Sequence, residues 1–260
     1  MASRPEIYRL LDTRYGRMLV NPNDIYIGGA FDLYGEFSEG EAALFRQLIR
    51  PGFLVLDIGA NIGSHTVVMA QALEGKGRVI AFEPQRLSFQ LLCANVALND
   101  LVNVICKNEA VGTTPGTIEV PVLDPAARQN FGALDLRKGK SGEAVPRTTI
   151  DDLGLKRCDF VKMDVEGMEI DALKGAERTI RQLHPVLYVE NERPENSDDL
   201  IRLIGSYGYR LYWHRTAMFN PDNYYGNREN VFGRIVSTNM LCIPHQARIA
   251  VAGMTEIDIP

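Results

Sequence analysis

The run Val55-Leu-Asp-Ile-Gly-Ala-Asn-Ile-Gly63 constrains the fold more than any other stretch of this chain. It reads as a short buried strand that breaks into a glycine-bearing turn and then opens a helix. Further on, Val79-Ile-Ala-Phe-Glu83-Pro84 reads as a second buried strand, this one ending on a carboxylate. An open α/β sheet uses this pairing to hold the ribose and the polar tail of a nucleotide-like cofactor.

The rest of the chain extends the plan. Residues 5–36 read as a lead-in with strand-like pieces at Arg17–Val20 and Asp24–Ile27. Ser38 and Glu41 form a capping box for a helix carrying Leu44, Phe45, Leu48 and Ile49, ended by Pro51-Gly52. Strand 53–58 and helix 64–73 follow, then strand 79–83, helix 86–98 and strand 103–107. Residues 113–147 are less regular, with an extra strand at Thr117–Val122. Strand 159–164, helix 168–183, strand 186–190 and helix 197–206 resume the alternation. Such alternation predicts a mostly parallel sheet covered by helices on both faces. Tyr209–Trp213 and Arg234–Ile243 are strands with no readable helix between them, so they pair antiparallel. The predicted fold class is α/β, a Rossmann-like sheet with a terminal antiparallel strand. The expected division is a lead-in over residues 1–37, a domain over 38–244 and a tail over 245–260. In the tail, Ala247–Val251 reads as a strand in the sheet of a second copy, giving a homo-oligomer, or as a disordered end.

Bulk properties narrow the function. The net charge of -5 over 260 residues opposes a general nucleic-acid surface, which needs clustered Lys and Arg. No apolar run approaches the length of a membrane helix, and Met-Ala-Ser-Arg-Pro-Glu lacks the apolar core of a leader. Cys93, Cys106, Cys158 and Cys242 are scattered through apolar segments, as expected of free thiols in the cytoplasm.

The turn Gly59-Ala-Asn61-Ile-Gly63 departs from a dinucleotide fingerprint, because Asn61 replaces the second glycine. That glycine lets backbone crowd a pyrophosphate, which S-adenosylmethionine (SAM) does not have. The turn, the acid at Glu83 and the terminal hairpin together favour SAM. Asp57 is placed to receive its ammonium through a water or a backbone network and Glu83 to accept both ribose hydroxyls, with Gly59, Asn61, Gly63 and Pro84 shaping the crevice. Turn-making and helix capping are the plainer roles for Asp57 and Asn61. Asn108 and Glu109 are adenine candidates, with an ordinary loop as the alternative.

Four blocks resemble the signature of the FkbM-type methyltransferase family. They are Val55–Gly63, Phe82-Glu83-Pro84, Thr148–Leu153 and Phe160-Val-Lys162-Met-Asp164-Val-Glu166-Gly167-Met-Glu169. The likeness runs from Tyr34-Gly-Glu36 to Pro244. It implies a SAM-dependent O-methyltransferase acting in glycoside, polyketide or glycan biosynthesis. Within it, Tyr34 and Glu36 are expected to close over the methionine end of SAM.

A sugar hydroxyl is a weak acid, so the reaction needs a general base, a metal that acidifies the hydroxyl, or both. Asp164, Glu190 and Asn191 end adjacent strands and are hard oxygen donors suited to Mg²⁺ or Ca²⁺. Their positions are similar to those in metal-dependent catechol and macrolide-sugar O-methyltransferases, except that Glu190 stands where an Asp is usual. The plainer reading makes Asp164 an N-cap and places Glu166 and Glu169 at a helix's positive end. Asp164, which also borders the cofactor, Glu166 and His214 are the candidate catalytic groups. His65, just after Gly63, is placed to touch the cofactor, whereas His184 reads as structural. The Asn- and Tyr-rich connection Ala217–Phe232 reads as a sugar-binding loop, against self-packing as the alternative. The partner expected is a small-molecule acceptor, with no nucleic acid and no membrane span. An NAD-dependent oxidoreductase and a non-catalytic SAM-fold module are the competing readings.

Overall fold

The computed structural model describes residues 6–132 and 142–260. Strands β1 (Arg9–Thr13) and β2 (Gly16–Val20) form an antiparallel hairpin, followed by helices α1 (Ile27–Tyr34) and α2 (Glu39–Leu48). Alternation begins with β3 (Leu54–Ile58), α3 (Ser64–Ala72), β4 (Arg78–Phe82), α4 (Arg86–Leu98) and β5 (Val104–Lys107). Strands β6 (Ala110–Val111), β7 (Gly116–Val120) and β8 (Glu143–Thr148) make a small separate sheet. The main run resumes with β9 (Phe160–Met163), α5 (Glu169–Lys174), α6 (Glu177–Leu183), β10 (Val186–Glu190) and α7 (Pro194–Ser206). Strands β11 (Tyr209–Ala217), β12 (Val236–Pro244) and β13 (Thr255–Glu256) close the chain.

The main sheet has the order β5-β4-β3-β9-β10-β12-β11-β13. The first five strands are parallel, and β12 enters between β10 and β11 antiparallel to both. The fold is therefore α/β with a mostly parallel sheet and the expected antiparallel strand.

Period-two alternation divides the core between the two faces. Leu56, Ile58, Val161, Met163, Leu187, Val189, Met240 and Cys242 pack with residues of α5, α6 and α7. Val55, Phe160, Tyr188, Leu241 and Ile243 pack with residues of α2 and α3 on the other face. The register pairs Asp57 with Lys162 on that second face, so two charged residues sit side by side under α3.

Three local expectations are corrected. Asp24–Ile27 is not a strand. The Asp24 carboxylate accepts the N–H groups of Tyr26 and Gly28 at 3.2 and 3.1 Å, turning the chain into α1. The single helix expected over 168–183 is two helices. Asp151 accepts the N–H groups of Arg178 and Thr179 at 2.9 and 2.7 Å, giving α6 a start of its own. In the tail, Ala247, Ile249 and Val251 pack against the α2–α3 side of the core without forming a strand. It is β13 that joins a sheet, pairing with β11 of the same chain.

Candidate active site

Strands β3 and β9 leave the sheet side by side, and their exits nearly touch. A Cβ on Gly59, whose φ is +81°, would lie 1.7 Å from the Asp164 carbonyl oxygen. Only glycine fits there. Gly59→Ala is expected to destabilise the protein by about 3 kcal/mol or more, through overpacking and a disfavoured φ. Urea denaturation checks this; a loss under about 1 kcal/mol would contradict the close crossing.

The turn is fastened from β4. Gly59 and Ala60 donate to the Phe82 carbonyl at 3.0 and 2.9 Å. Glu83 is buried, and its two carboxylate oxygens accept the N–H groups of Asn61 at 2.8 Å and Gln85 at 2.7 Å. Each oxygen has a further lone pair, so the carboxylate can still accept two hydroxyls. Burial pushes the Glu83 carboxyl up to about 7, against the pull of those two N–H groups. Asn108 donates to the Glu83 and Pro84 carbonyls at 2.8 and 3.0 Å and so holds the turn from behind.

Asp57 is 0 % exposed. Its Oδ2 accepts the Thr66 hydroxyl at 2.5 Å, and its Oδ1 lies 3.6 Å from Lys162 Nζ. That ammonium also donates to the Gly59 carbonyl at 2.9 Å and stands 3.2 Å from Asp164 Oδ2. Burial opposes its charge, but Asp164 and Asp57 outweigh burial and raise its pKa. Lys162 thus ties the Gly59–Asn61 turn to the strand that carries Asp164.

Beyond Lys162 the wall is acidic. Asp164, Glu166 and Glu190 each offer an oxygen, all within 4.8 Å of one another. Glu166 has φ +55° and pairs with Arg193 at 3.3 Å. Burial, then repulsion from Asp164, pushes Glu166 up to about 8, with Arg193 opposing. Burial, then repulsion from Asp164 and Glu166, carries Glu190 well above the usual carboxylate range. Glu169 is not part of this group, because its Oε1 accepts the N–H groups of Val165 and Gly167 at 3.1 and 3.0 Å. Asp164 caps no helix, since α5 starts only at Glu169.

Turn and acidic wall border one cavity of about 310 Å³. This is the size of a small-molecule site.

The family of methyltransferase FkbM domains matches residues 57–211. The chain belongs to this family. A curated relative, methyltransferase sdnD of Sordaria araneosa, is 28% identical over 173 residues, covering 54% of this chain and 66% of its own. A methyltransferase FkbM from Methylobacillus flagellatus KT is similar at 23% identity and TM-score 0.47, over 77% of this chain and 50% of that one. M. jannaschii TYW2, solved in complex with AdoMet, aligns at 15% identity and TM-score 0.49, over 94% and 88%. The chain thus spans 66% of the curated relative's length and half of the Methylobacillus protein's.

The FkbM-family chain brings Gly59, Asn61, Glu83, Pro84, Glu109, Asp164, Glu166 and Glu190 to the cavity wall. Other expected residues lie outside that wall. Asp57 is beneath it, and Gly63 is the residue that leads into α3. Asn191 donates to Ser197 Oγ at 3.0 Å and Met240 Sδ at 3.3 Å, so its amide nitrogen faces α7 and β12. His214 Nδ1 lies 2.8 Å from Tyr188 Oη. Burial lowers the His214 pKa. Tyr34 anchors the long connection, donating to the Glu229 carbonyl at 2.8 Å and accepting from Val231 N–H at 3.0 Å. Glu36 does the same, accepting from Asn220 Nδ2 at 2.7 Å and Tyr224 N–H at 2.9 Å. Of the connection Ala217–Phe232, Met218 reaches the cavity and much of the remainder packs on itself and on the lead-in.

The wall also contains Phe37, Glu41, His65, Gln85 and Glu192. Glu41 was legible only as a helix cap. In the structure Ser38 Oγ donates to Glu41 Oε1 at 2.8 Å, and no side chain caps α2.

Proposed function

We propose that this chain is a SAM-dependent methyltransferase that methylates a hydroxyl of a small molecule, in particular a sugar or glycoside. The observation that carries the reading is the joining of two chemistries in one cavity. The Gly59–Asn61 turn with Glu83 suits a nucleoside, and the Asp164–Glu166–Glu190 wall suits a weakly acidic hydroxyl. When bound, SAM supplies a methyl group on a sulfonium, which is already a good leaving group. Glu83 orients the ribose through its two spare lone-pair positions. Asp164 has a side chain 37% exposed to the cavity and takes the proton of the acceptor hydroxyl. Lys162 holds that carboxylate against the cofactor turn. The low apolar content of the connection near Met218 is compatible with a polar acceptor. The absence of a long apolar helix among the described residues is compatible with a site reached from water.

The cluster geometry favours one second element. Three carboxylates with oxygens within 4.8 Å are a hard donor set that fits Mg²⁺, with Glu166 in the place expected of Asn191. An ion held there would acidify the hydroxyl. The test is calorimetry with SAM and NAD, followed by methyl transfer with and without a chelator. SAM binding without NAD binding is the expected result; the reverse would replace this reading with an oxidoreductase. Transfer lost on chelation and restored by Mg²⁺ supports the ion, and transfer indifferent to chelation leaves Asp164 as the sole activating group.

A further inference from the structure

We infer that Glu41 and His65 form a clamp for the amino-acid end of SAM, with His65 and the first turn of α3 taking its α-carboxylate and Glu41 its α-ammonium. The inference rests on the SAM reading above. The tail of SAM is a zwitterion, so its site must offer a donor and an acceptor side by side. Asp57 does not line the cavity, so it reaches that ammonium at most through an intervening water or backbone group. It is fully buried, engaged by Thr66 and close to Lys162. Tyr34 and Glu36 are engaged by the long connection.

His65 is the unexplained group in the wall. It is 5% exposed, and its Nε2 makes no hydrogen bond among the described residues. Proteins rarely leave a buried ring nitrogen without a partner unless a ligand supplies one. The ring is fixed edge-on to Phe45 at 5.1 Å and lies 5.8 Å from Phe37, so its direction is set by packing. Burial, then Lys162, lowers its pKa to about 4, which leaves a neutral imidazole able to donate one N–H. His65 is the second residue of α3, a nine-residue helix whose N-terminus has no side-chain cap. Free N–H groups and the helix dipole favour an anion there, and the carboxylate is the one anionic group SAM carries.

Glu41 supplies the other half. Its Oε1 accepts from Ser38, the Ser237 and Tyr188 hydroxyls also bond the carboxylate, and its Oε2 lies 4.0 Å from His65 Nε2. That gap is too long for a hydrogen bond between the two. It suits an ammonium and a carboxylate attached to one carbon, each reaching its own partner.

The experiment compares S-adenosylhomocysteine with 5′-methylthioadenosine, which keeps the nucleoside and thioether but lacks the amino-acid tail. Both are titrated calorimetrically into the full chain and into His65→Phe and Glu41→Gln. Loss of a hydrogen bond to a charged group is expected to weaken S-adenosylhomocysteine about 30-fold in His65→Phe and about tenfold in Glu41→Gln. Methylthioadenosine should stay within about twofold in both, which also shows that each variant is folded. Equal weakening of the two ligands, or unchanged binding of S-adenosylhomocysteine, overturns the clamp while the SAM site stands. Failure of both ligands to bind the unaltered chain removes the SAM reading and the clamp together.

Discussion

Glu83→Gln is expected to weaken SAM binding by at least about 100-fold, the largest effect on affinity of any single change in the cavity. Two hydroxyls lose a charged acceptor, worth about 1.5–3 kcal/mol each, and about 1.4 kcal/mol is a factor of ten. The amide also has one acceptor oxygen where the carboxylate has two. One of the N–H groups now bonded at 2.8 and 2.7 Å would then face an NH₂, and the turn at Asn61 would loosen. The same residue sets a pH dependence. In the proposed complex the ribose hydroxyls donate to the ionised carboxylate, and burial places its titration at about 7. The Kd for SAM should be nearly flat above pH 8 and rise about tenfold per unit below 7. Stability of the empty protein moves the other way. A carboxyl raised from its ordinary value of 4.5 to about 7 stabilises the fold fully below 4.5 and loses that contribution as pH rises through 7. Calorimetry from pH 6 to pH 8.5, with thermal melts of the empty chain, reads both slopes. Opposite slopes are expected in the unaltered chain; Glu83→Gln should lose the slope in Kd and keep the part of the melt slope that Glu166 and Glu190 contribute.

Lys162→Met should produce the largest loss of stability, about 3–5 kcal/mol by urea denaturation. Met keeps the volume and removes the charge. Asp57, at 0 % exposure, would be left with an oxygen whose nearest cation is gone. The Gly59 carbonyl and Asp164 would lose a donor at the same time. Adding Asp57→Asn should recover part of the loss, since it removes the uncompensated charge. A Lys162→Met protein as stable as the original would mean that the buried ammonium does not hold the two strand ends together.

Most of the scaffold was legible because the signals are local. Strand β10 and helix α4 fall on the residues that periodicity assigns, and the turn at Gly59 and the acid at Glu83 announce themselves by spacing. The break between α5 and α6 was not legible, because the group that starts α6 is Asp151, distant in sequence. The same limit applies to side-chain direction. Asn191 ends the expected strand, but Ser197 and Met240 decide where its amide points. His214 looked free at a strand end, and Tyr188 from the core claims it. Glu41 and His65 were the reverse case. One reads as a cap and the other as a residue beside the cofactor, and only packing of α2 against α3 puts them on a common wall.

The most direct measurement of the central claim uses the full chain, methyl-labelled SAM and a small-molecule extract of the source organism. The expected result is a labelled small molecule whose new methyl is carried on oxygen, formed by the unaltered chain and lost in Asp164→Asn. Label found on nitrogen, carbon or a macromolecule, or no label in any product while SAM remains bound, would contradict methyl transfer to a small-molecule hydroxyl.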